Sequence, residues 1–283
     1  MFNNILVQIL FLQMITDFKI AKNQTKYNKM KKFFSIILFF SLLIVHSQDK
    51  VNQLDDKGNR HGLWRGTHKE SNRVRCEGTF SHGKETGVFK YFDDTKAGTV
   101  IATRDFSKGD GSCYANFFDQ KGNKVSEGAL VNKLPEGEWK YYHFESKQLM
   151  SQEFYKGGKL EGIRKVFYKD GTVAEETNYK VGIKIGKSKT YSEKGQLLES
   201  LIYKNGQYDG VASYYDGMGN KMYEGNYVNG KRVGTWKFFE KNKVIKEVKA
   251  SKFGQELIKY EQRNAKEASK TLEQLKQEKG GQE

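Results

Sequence analysis

A glycine that recurs at a nearly constant interval constrains this chain more than any other feature. The recurring positions are Gly62, Gly87, Cys113, Gly137, Gly162, Gly186, Gly210 and Gly234. Successive positions lie 25, 26, 24, 25, 24, 24 and 24 residues apart. A fixed period in this range is the signature of a repeat architecture, in which each unit is one supersecondary element.

Each unit carries the signals of a β-hairpin, most clearly in Tyr223–Phe239, which reads YEGNYVNGKRVGTWKFF. Asn229-Gly230 supplies two residues that tolerate the positive φ of a tight two-residue turn, and the aromatic flanks suit a pleated surface. An aromatic residue follows seven of the eight anchors by five positions, and only Thr67 breaks the rule. These aromatic residues are Phe92, Phe118, Tyr142, Phe167, Tyr191, Tyr215 and Phe239.

The composition agrees with glycine-turned strands, since the chain has 29 glycines, 13% aromatic residues and a single proline. We predict an all-β fold: an elongated single-layer antiparallel sheet of stacked hairpin repeats of about 24 residues over 48–250. A charged C-terminal helix or tail is predicted over 251–283. Its weak amphipathic pattern consists of Leu257, Ala265, Ala268, Leu272 and Leu275. This helix is expected either to cap the sheet at Phe238 or to trail in solvent.

The repeat resembles the membrane occupation and recognition nexus (MORN) repeat in its shorter bacterial variant. The likeness covers about 190 of the 283 residues, from Asp55 to Lys249. It implies an elongated antiparallel sheet that serves protein, lipid or scaffold binding. Bacterial proteins of this type are also often grouped with antitoxin components of toxin–antitoxin pairs, which is a weaker implication of the resemblance.

The chain departs from the repeat pattern in three places. Cys113 replaces an anchor glycine, Asn132-Lys133 replaces a glycine turn, and the polar residues Ser188 and Thr190 interrupt an apolar stretch. We expect local irregularity at these positions within an unchanged fold.

Residues 30–47 have the layout of a secretory signal: two lysines, the apolar run Phe33–Val45 and a small residue at the expected cleavage site. The run is shorter than the roughly 20 apolar residues that span a bilayer. We therefore predict that Met30 is the initiator and that 1–29 is a mis-called start or a disordered segment. The alternative is a membrane-anchored N-terminus that uses this run together with Ile5–Ile15.

The chain carries a formal charge of +15. Removal of residues 1–47 leaves 43 basic and 33 acidic residues, a net charge of +10. This excess predicts attraction to an acidic partner such as anionic lipid, a cell-wall polymer or an acidic protein. The alternative is that the lysines keep a long exposed sheet soluble and discourage edge pairing. Export disfavours nucleic acid as a partner.

Side chains alternate between the faces of a strand, so the second and fourth residues after each anchor share one face. That column varies from unit to unit, and we predict that Trp139, Tyr141, Trp236 and Phe238 contact a partner there. The alternative is that the same four residues pack against another layer or against neighbouring repeats. The aromatic residues at the fifth position lie on the other face, where we predict a structural stack across the strands.

No arrangement of residues in the sequence predicts catalysis, a cofactor or a metal site. A glutamate recurs in the second half of the units, and repeated units are expected to give it equivalent surroundings in which it pairs with lysines of adjacent strands. This series is Glu77, Glu127, Glu153, Glu176, Glu199, Glu224 and Glu247. Glycosidase chemistry instead needs one pair of carboxylates whose environments differ.

The two cysteines are predicted to be free thiols. Under the repeat pattern, Cys76 and Cys113 lie three strands apart, or roughly 14 Å. A disulfide tolerates at most about 7 Å between Cα atoms.

These observations favour an exported, non-enzymatic repeat scaffold of the periplasm or cell surface that binds a protein or envelope polymer. The alternative function is an antitoxin-like protein that neutralises a toxin in the cytoplasm, and it requires that residues 30–47 do not direct export. A third hypothesis, association with an anionic membrane surface, rests on the positive charge alone.

Overall fold

The computed structural model describes residues 50–280, with the side chains of residues 272, 275 and 278–280 left aside. The chain divides into two units, Met1–Lys50 and Val51–Glu283. The predicted signal and the segment before it therefore lie outside the described residues.

The second unit contains one sheet of 19 strands followed by a single α-helix. The strands are β1 (Gln53–Leu54), β2 (Arg60–Thr67), β3 (Val74–Ser81), β4 (Lys84–Phe92), β5 (Val100–Asp105), β6 (Cys113–Phe118), β7 (Lys124–Val131), β8 (Leu134–Tyr142), β9 (Leu149–Lys156), β10 (Lys159–Leu160), β11 (Gly162–Phe167), β12 (Val173–Lys180), β13 (Ile183–Tyr191), β14 (Leu197–Lys204), β15 (Gln207–Tyr208), β16 (Gly210–Tyr215), β17 (Lys221–Val228), β18 (Lys231–Glu240) and β19 (Lys243–Lys249). A short 3-10 turn, Ala250–Lys252, leads into helix α1 (Phe253–Gly280).

Each strand pairs antiparallel with its neighbour in sequence, except that the short strands β10 and β15 share a partner with the strand that follows each of them. The registers run from β1–β2 to β18–β19 without a crossover. The structure therefore confirms the predicted fold class: one long open antiparallel sheet of hairpin repeats with a C-terminal helix.

Two kinds of turn alternate along the sheet. Each kind forms a line at one end of the strands, and these two lines of turns are called the two edges below. The two-residue turns have positive φ at both positions, for example 50° and 81° at Asn205-Gly206. Asn132-Lys133 forms the same turn with φ of 51° and 67°, so the missing glycine causes no irregularity there. The turns at the opposite edge are longer, except for the two-residue turn Lys241-Asn242 between β18 and β19. In one of them the Asp216 carboxylate accepts hydrogen bonds from the backbone N–H groups of Met218 and Asn220.

The anchor glycines recur because the backbone requires them. All seven have positive φ, between 60° at Gly186 and 125° at Gly210, a conformation that disfavours residues with a Cβ atom. Cys113 does not adopt it, and the turn before Cys113 instead inserts Phe106 into the core. The expected irregularity at Cys113 is therefore confirmed, whereas Ser188 and Thr190 lie within the regular strand β13.

One face of the sheet, called the inner face below, carries the core in two aromatic clusters. The N-terminal cluster consists of Phe80, Phe89, Phe106, Cys113, Ala115, Leu130 and Trp139. The C-terminal cluster consists of Leu201, Ala212, Tyr227, Trp236, Phe238, Phe253 and Tyr260. The N-terminal cluster forms by lateral packing of side chains from neighbouring repeats, and helix α1 adds Phe253 and Tyr260 to the C-terminal cluster.

Size complementarity across adjacent strands produces this packing. A Cβ atom on Gly225 would lie 2.2 Å from the Trp236 ring, and one on Gly128 would lie 2.4 Å from the Trp139 ring. In other units a small residue faces a larger one, as Ala212 does beside Leu201. Gly128 and Gly225 differ from the anchor glycines because their φ is negative, so their role is to leave room for a ring.

Helix α1 caps the inner face at its C-terminal end. Phe253, Leu257 and Tyr260 follow the spacing of one helix face, and Phe253 is 1% exposed. Its ring lies 4.3 Å from that of Trp236 and 5.4 Å from that of Phe238. The Tyr260 hydroxyl donates a hydrogen bond to the Phe239 carbonyl oxygen at 2.8 Å. The capping role predicted for this segment is therefore confirmed for the first two turns of the helix.

Both cysteines are free thiols, as predicted. Cys76 lies on β3 and Cys113 on β6, three strands further along the sheet. Burial raises the pKa of the Cys113 thiol, which favours its protonated form.

Candidate functional site

The four predicted contact residues lie on the inner face. Trp139, Trp236 and Phe238 are 4%, 0% and 1% exposed, and Tyr141 is half-buried. Trp139 packs between Phe117, Tyr141 and Tyr155, while Trp236 and Phe238 pack against helix α1. Little of their surface therefore remains for a partner. Their contacts are with neighbouring repeats and with helix α1, as in the alternative prediction.

The two tryptophans differ in how their indole N–H groups are bonded. The Trp139 Nε1–H donates to the Ala129 carbonyl oxygen at 3.0 Å. The Trp236 Nε1 is buried without a partner among the described residues. The C-terminal cluster therefore contains one polar group whose desolvation no hydrogen bond offsets.

The opposite face of the sheet, called the outer face below, carries a row of charged and polar side chains that runs across the strands. From β2 to β19 its members are Arg65, Glu77, Lys90, Thr103, Asn116, Glu127, Lys140, Gln152, Lys165, Glu176, Lys189, Ser200, Ser213, Glu224, Lys237 and Glu247, each aligned with the next. Six of them are basic and five are acidic. This row, the charge ladder, is nearly neutral as a whole.

Ion pairs between strands occur where the sequence predicted them. Lys165 Nζ lies 3.2 Å from Glu176 Oε1, Lys237 Nζ lies 3.7 Å from Glu247 Oε1, and Arg65 pairs with Glu77. Such partly exposed pairs each contribute about 0.2–1 kcal/mol. The ladder therefore favours the correct strand register more than it raises overall stability.

The prediction that all seven recurring glutamates share one environment is wrong for Glu153 and Glu199. Gln152 and Ser200 occupy the ladder positions in those units, which places the adjacent residues Glu153 and Glu199 on the inner face. One step along a strand reverses the side-chain direction. Glu153 is consequently 8% exposed, whereas Glu77 in the ladder is half-buried.

Glu153 belongs to a polar segment of the inner face that separates the two aromatic clusters. The segment consists of Glu153, Arg164, Glu175, Thr177 and Ser188. Arg164 Nε donates to Glu153 Oε1 at 2.8 Å, and the Thr177 and Ser188 hydroxyl oxygens lie 2.7 Å apart. Every member therefore has a hydrogen-bonding or ionic partner.

The electrostatics of the polar segment follow from these contacts. Burial alone would lower the pKa of Arg164, but the hydrogen bond to Glu153 and the negative charges of Glu153 and Glu175 together outweigh it, and the pKa is raised. Burial and a hydrogen bond to Glu153 likewise raise the pKa of Tyr155. Glu199 lies on β14, next to the strand of Ser188, and differs from these groups. Burial raises its pKa, and no described group donates a hydrogen bond to its carboxylate.

The prediction of a stack of fifth-position aromatics is wrong. The register places an aliphatic or lysine side chain between successive members, for example Leu149 beside Tyr142 and Val173 beside Phe167. These aromatics instead contact the charge ladder. The Tyr142 hydroxyl bonds to Glu127, and the Tyr191 hydroxyl donates a hydrogen bond to Glu176 at 3.4 Å.

Hydrogen bonds tune the acidity of this part of the outer face. Burial alone would raise the pKa of Glu127, but bonds from Lys124 and Tyr142 outweigh it and the pKa is lowered. Burial and the bond to Glu127 raise the pKa of Tyr142. Both groups therefore keep their ordinary charge states near neutral pH.

A second row on the outer face exposes large apolar side chains, and sequence reasoning missed it. Its members are Val88, Tyr114, Phe154, Ile163 and Val211, each between 41% and 50% exposed. Four of them follow an anchor directly. Because side chains alternate along a strand, the first position after an anchor shares the outer face with the third and fifth positions. We call these five residues the apolar row.

Two observations concern metals and membranes. Within residues 50–280, no three His, Cys, Asp or Glu side chains come together as metal ligands. In the same part of the chain, α1 does not combine the length and apolar character that a membrane-crossing helix needs.

No protein-family model matches this chain, and no curated protein matches it. The resemblance to MORN repeats therefore stays a prediction that rests on the glycine period and the turn chemistry.

Proposed function

We propose that this protein is an exported, non-enzymatic repeat scaffold that binds a protein or envelope component through its outer face. The observation that supports this proposal is the apolar row beside the charge ladder. Large apolar side chains that lie exposed side by side on a surface are typical of interaction sites. Phe154 and Ile163 lie on adjacent strands and form the centre of the row.

The inner face supports a structural role for its carboxylates. Glu153 accepts hydrogen bonds from Ser151, Tyr155 and Arg164, so its oxygen atoms are already engaged within the fold. A general acid or base needs a lone pair or proton directed at a substrate. This arrangement favours the binding role over hydrolysis.

The double substitution Phe154→Ser/Ile163→Ser tests the binding surface. Envelope and cytoplasmic fractions are each passed over the immobilised full chain, and bound components are compared with those bound by the variant. We expect an envelope component that the variant fails to retain. Phe144→Ser/Met218→Ser is the matched control, because these residues are 81% and 78% exposed at the edge formed by the longer turns.

Retention of the same components by both variants would contradict the proposed surface. Circular dichroism and the unfolding midpoint establish that each variant is folded. Because the substituted side chains are exposed, we expect changes of at most about 0.5 kcal/mol in the free energy of unfolding.

Cell fractionation with N-terminal sequencing tests export. We expect a product that begins near Gln48 outside the cytoplasm. An uncleaved cytoplasmic product would overturn the exported scaffold and make the antitoxin-like function the leading hypothesis.

A further inference from the structure

The edge formed by the two-residue turns carries an unbalanced row of cations. From β7 to β18 these are Lys133, Lys156, Lys159, Lys180, Lys184, Lys204, Lys231 and Arg232. All are exposed except Lys184, which is half-buried. Among the described residues none of the eight forms an ion pair. We call this row the basic edge.

The acidic residues of the same edge are committed to the backbone. Glu136 accepts a hydrogen bond from the Gly157 N–H at 2.7 Å, and Glu161 accepts one from the Val181 N–H at 2.8 Å. Asp209 does the same for the Asn229 N–H at 3.1 Å. Each acid therefore links its own repeat to the following turn, and the eight cations of this edge outnumber its three acids.

The opposite edge has a different balance of basic and acidic residues. Its longer turns between β8 and β17 contain three lysines, Lys147, Lys169 and Lys194, against four acids, Glu145, Asp170, Glu193 and Asp216. The charge ladder on the outer face is also nearly balanced. Between β7 and β18, the basic edge therefore carries an excess of five positive charges.

A cleft on the basic edge combines cations with aromatic rings. It has a volume of about 630 Å³ and is lined by Lys184, Tyr203, Tyr208 and Lys231 together with turn residues. The two tyrosine rings lie 4.9 Å apart, and the Lys184 ammonium lies 5.1 Å from the Tyr203 ring centroid. Such a cleft places two cations beside a pair of aromatic rings that are tilted by 47° to each other.

We propose that the basic edge binds a linear polyanion, a flexible polymer with repeated phosphate or carboxylate groups that lies along the turns. The cations recur once or twice per hairpin, at a spacing of about 10 Å. A line of charge complements a chain better than a flat membrane or a folded acidic protein, which would need a broad face. The basic edge is a second binding surface, separate from the apolar row, so this inference goes beyond the proposed function.

The test is binding of long-chain inorganic polyphosphate to the full-length protein, measured by calorimetry at low and high salt. We expect binding that weakens steeply with salt, because exposed charges are screened. The variant Lys156→Gln/Lys180→Gln/Lys204→Gln removes three equivalent cations that each precede a two-residue turn. We expect it to lower the affinity about tenfold or more.

Lys147→Gln/Lys169→Gln/Lys194→Gln is the matched control, since it removes the same charge from exposed positions on the opposite edge. We expect it to change the affinity less than about twofold. Equal losses in both variants would show that net charge alone attracts the polymer and would overturn the inference. Absence of polyphosphate binding at low salt would overturn it as well.

Vesicles of phosphatidylcholine and phosphatidylserine provide the competing surface. Tighter binding to these vesicles than to polyphosphate, lost in the edge variant, would make a membrane the partner and reject the polymer. If polyphosphate is not bound while Phe154→Ser/Ile163→Ser still loses an envelope component, only this inference fails. If neither effect is found, the proposed function fails too.

Discussion

The C-terminal aromatic cluster and the polar segment occupy equivalent positions of the same sheet, yet they are stabilised differently. In the aromatic cluster Gly225 faces Trp236, and Phe253 of helix α1 covers the ring. In the polar segment the corresponding pair is Glu153 with Arg164. The backbone is regular in both regions. Turns and anchor glycines therefore determine the hairpin, while the facing pairs on the inner face can change from apolar to ionic.

Removal of the helix cap should have the largest effect on this comparison. Phe253→Ala leaves a cavity beside Trp236 and Phe238, and we expect it to lower the free energy of unfolding by about 3–5 kcal/mol. Urea denaturation followed by tryptophan fluorescence measures this loss. Ile258→Ala, at a 57% exposed position of the same helix, is the control and should cost under about 1 kcal/mol.

Filling the space under an aromatic ring should have the next largest effect. Gly225→Ala places a methyl group against the Trp236 ring, and we expect a loss of about 1–3 kcal/mol. Gly217→Ala is the matched control, because a Cβ atom there meets no atom within 4 Å and its φ is not positive. Equal unfolding midpoints for the two variants would contradict the steric role of Gly225.

The polar segment should respond to loss of one charge. Glu153→Gln keeps the shape but removes the carboxylate that Arg164 contacts, and we expect a loss of about 1.5 kcal/mol. Glu77→Gln in the outer ladder, where the pair is more exposed, should cost only about 0.5 kcal/mol. Chemical denaturation of both variants checks the difference, and a smaller loss at Glu153 than at Glu77 would reject the structural role of the segment.

A turn in the same region contains a strained residue. Val181 is β-branched and has a φ of 53°, whereas Asn205 and Asn229 occupy the equivalent position of later turns. We expect Val181→Asn to raise stability by about 1 kcal/mol, since asparagine tolerates this conformation. The reciprocal Asn205→Val should lower stability by a similar amount, and thermal unfolding of the two variants should shift in opposite directions.

The smallest expected effect concerns Glu199, which lies between the polar segment and the aromatic cluster. Burial raises its pKa in the folded state above the unfolded value of about 4.3. Its contribution is therefore most favourable below that pH and is lost as pH rises through the folded-state pKa. We expect Glu199→Gln to be more stable than the wild type at pH 7, with an advantage that disappears in acid.

Denaturation of wild type and Glu199→Gln across a pH series provides the measurement. An advantage that is constant with pH would show that the carboxylate charge is not its cause. Glu240→Gln, an exposed position at the end of β18, should show no pH-dependent gain.

The sequence by itself determined the repeat, the antiparallel hairpins, the free cysteines and the C-terminal helix. These properties depend on local chemistry: Gly186 and its counterparts supply positive φ, and Asn229-Gly230 specifies a two-residue turn. Each signal lies within one unit and recurs, so the pattern is readable without knowledge of distant contacts.

Only the tertiary structure decided which face is buried and which side chains remain free. The sequence pattern predicts that Trp236 contacts a partner at the surface. In the structure Trp236 is fully buried, because Phe253, 17 residues further along the chain, covers it. The one-residue offset that moves Glu153 and Glu199 to the inner face depends on strand pairing, since β-side chains alternate and a single step reverses them. The basic edge likewise arises because stacked turns bring lysines from successive repeats into one line.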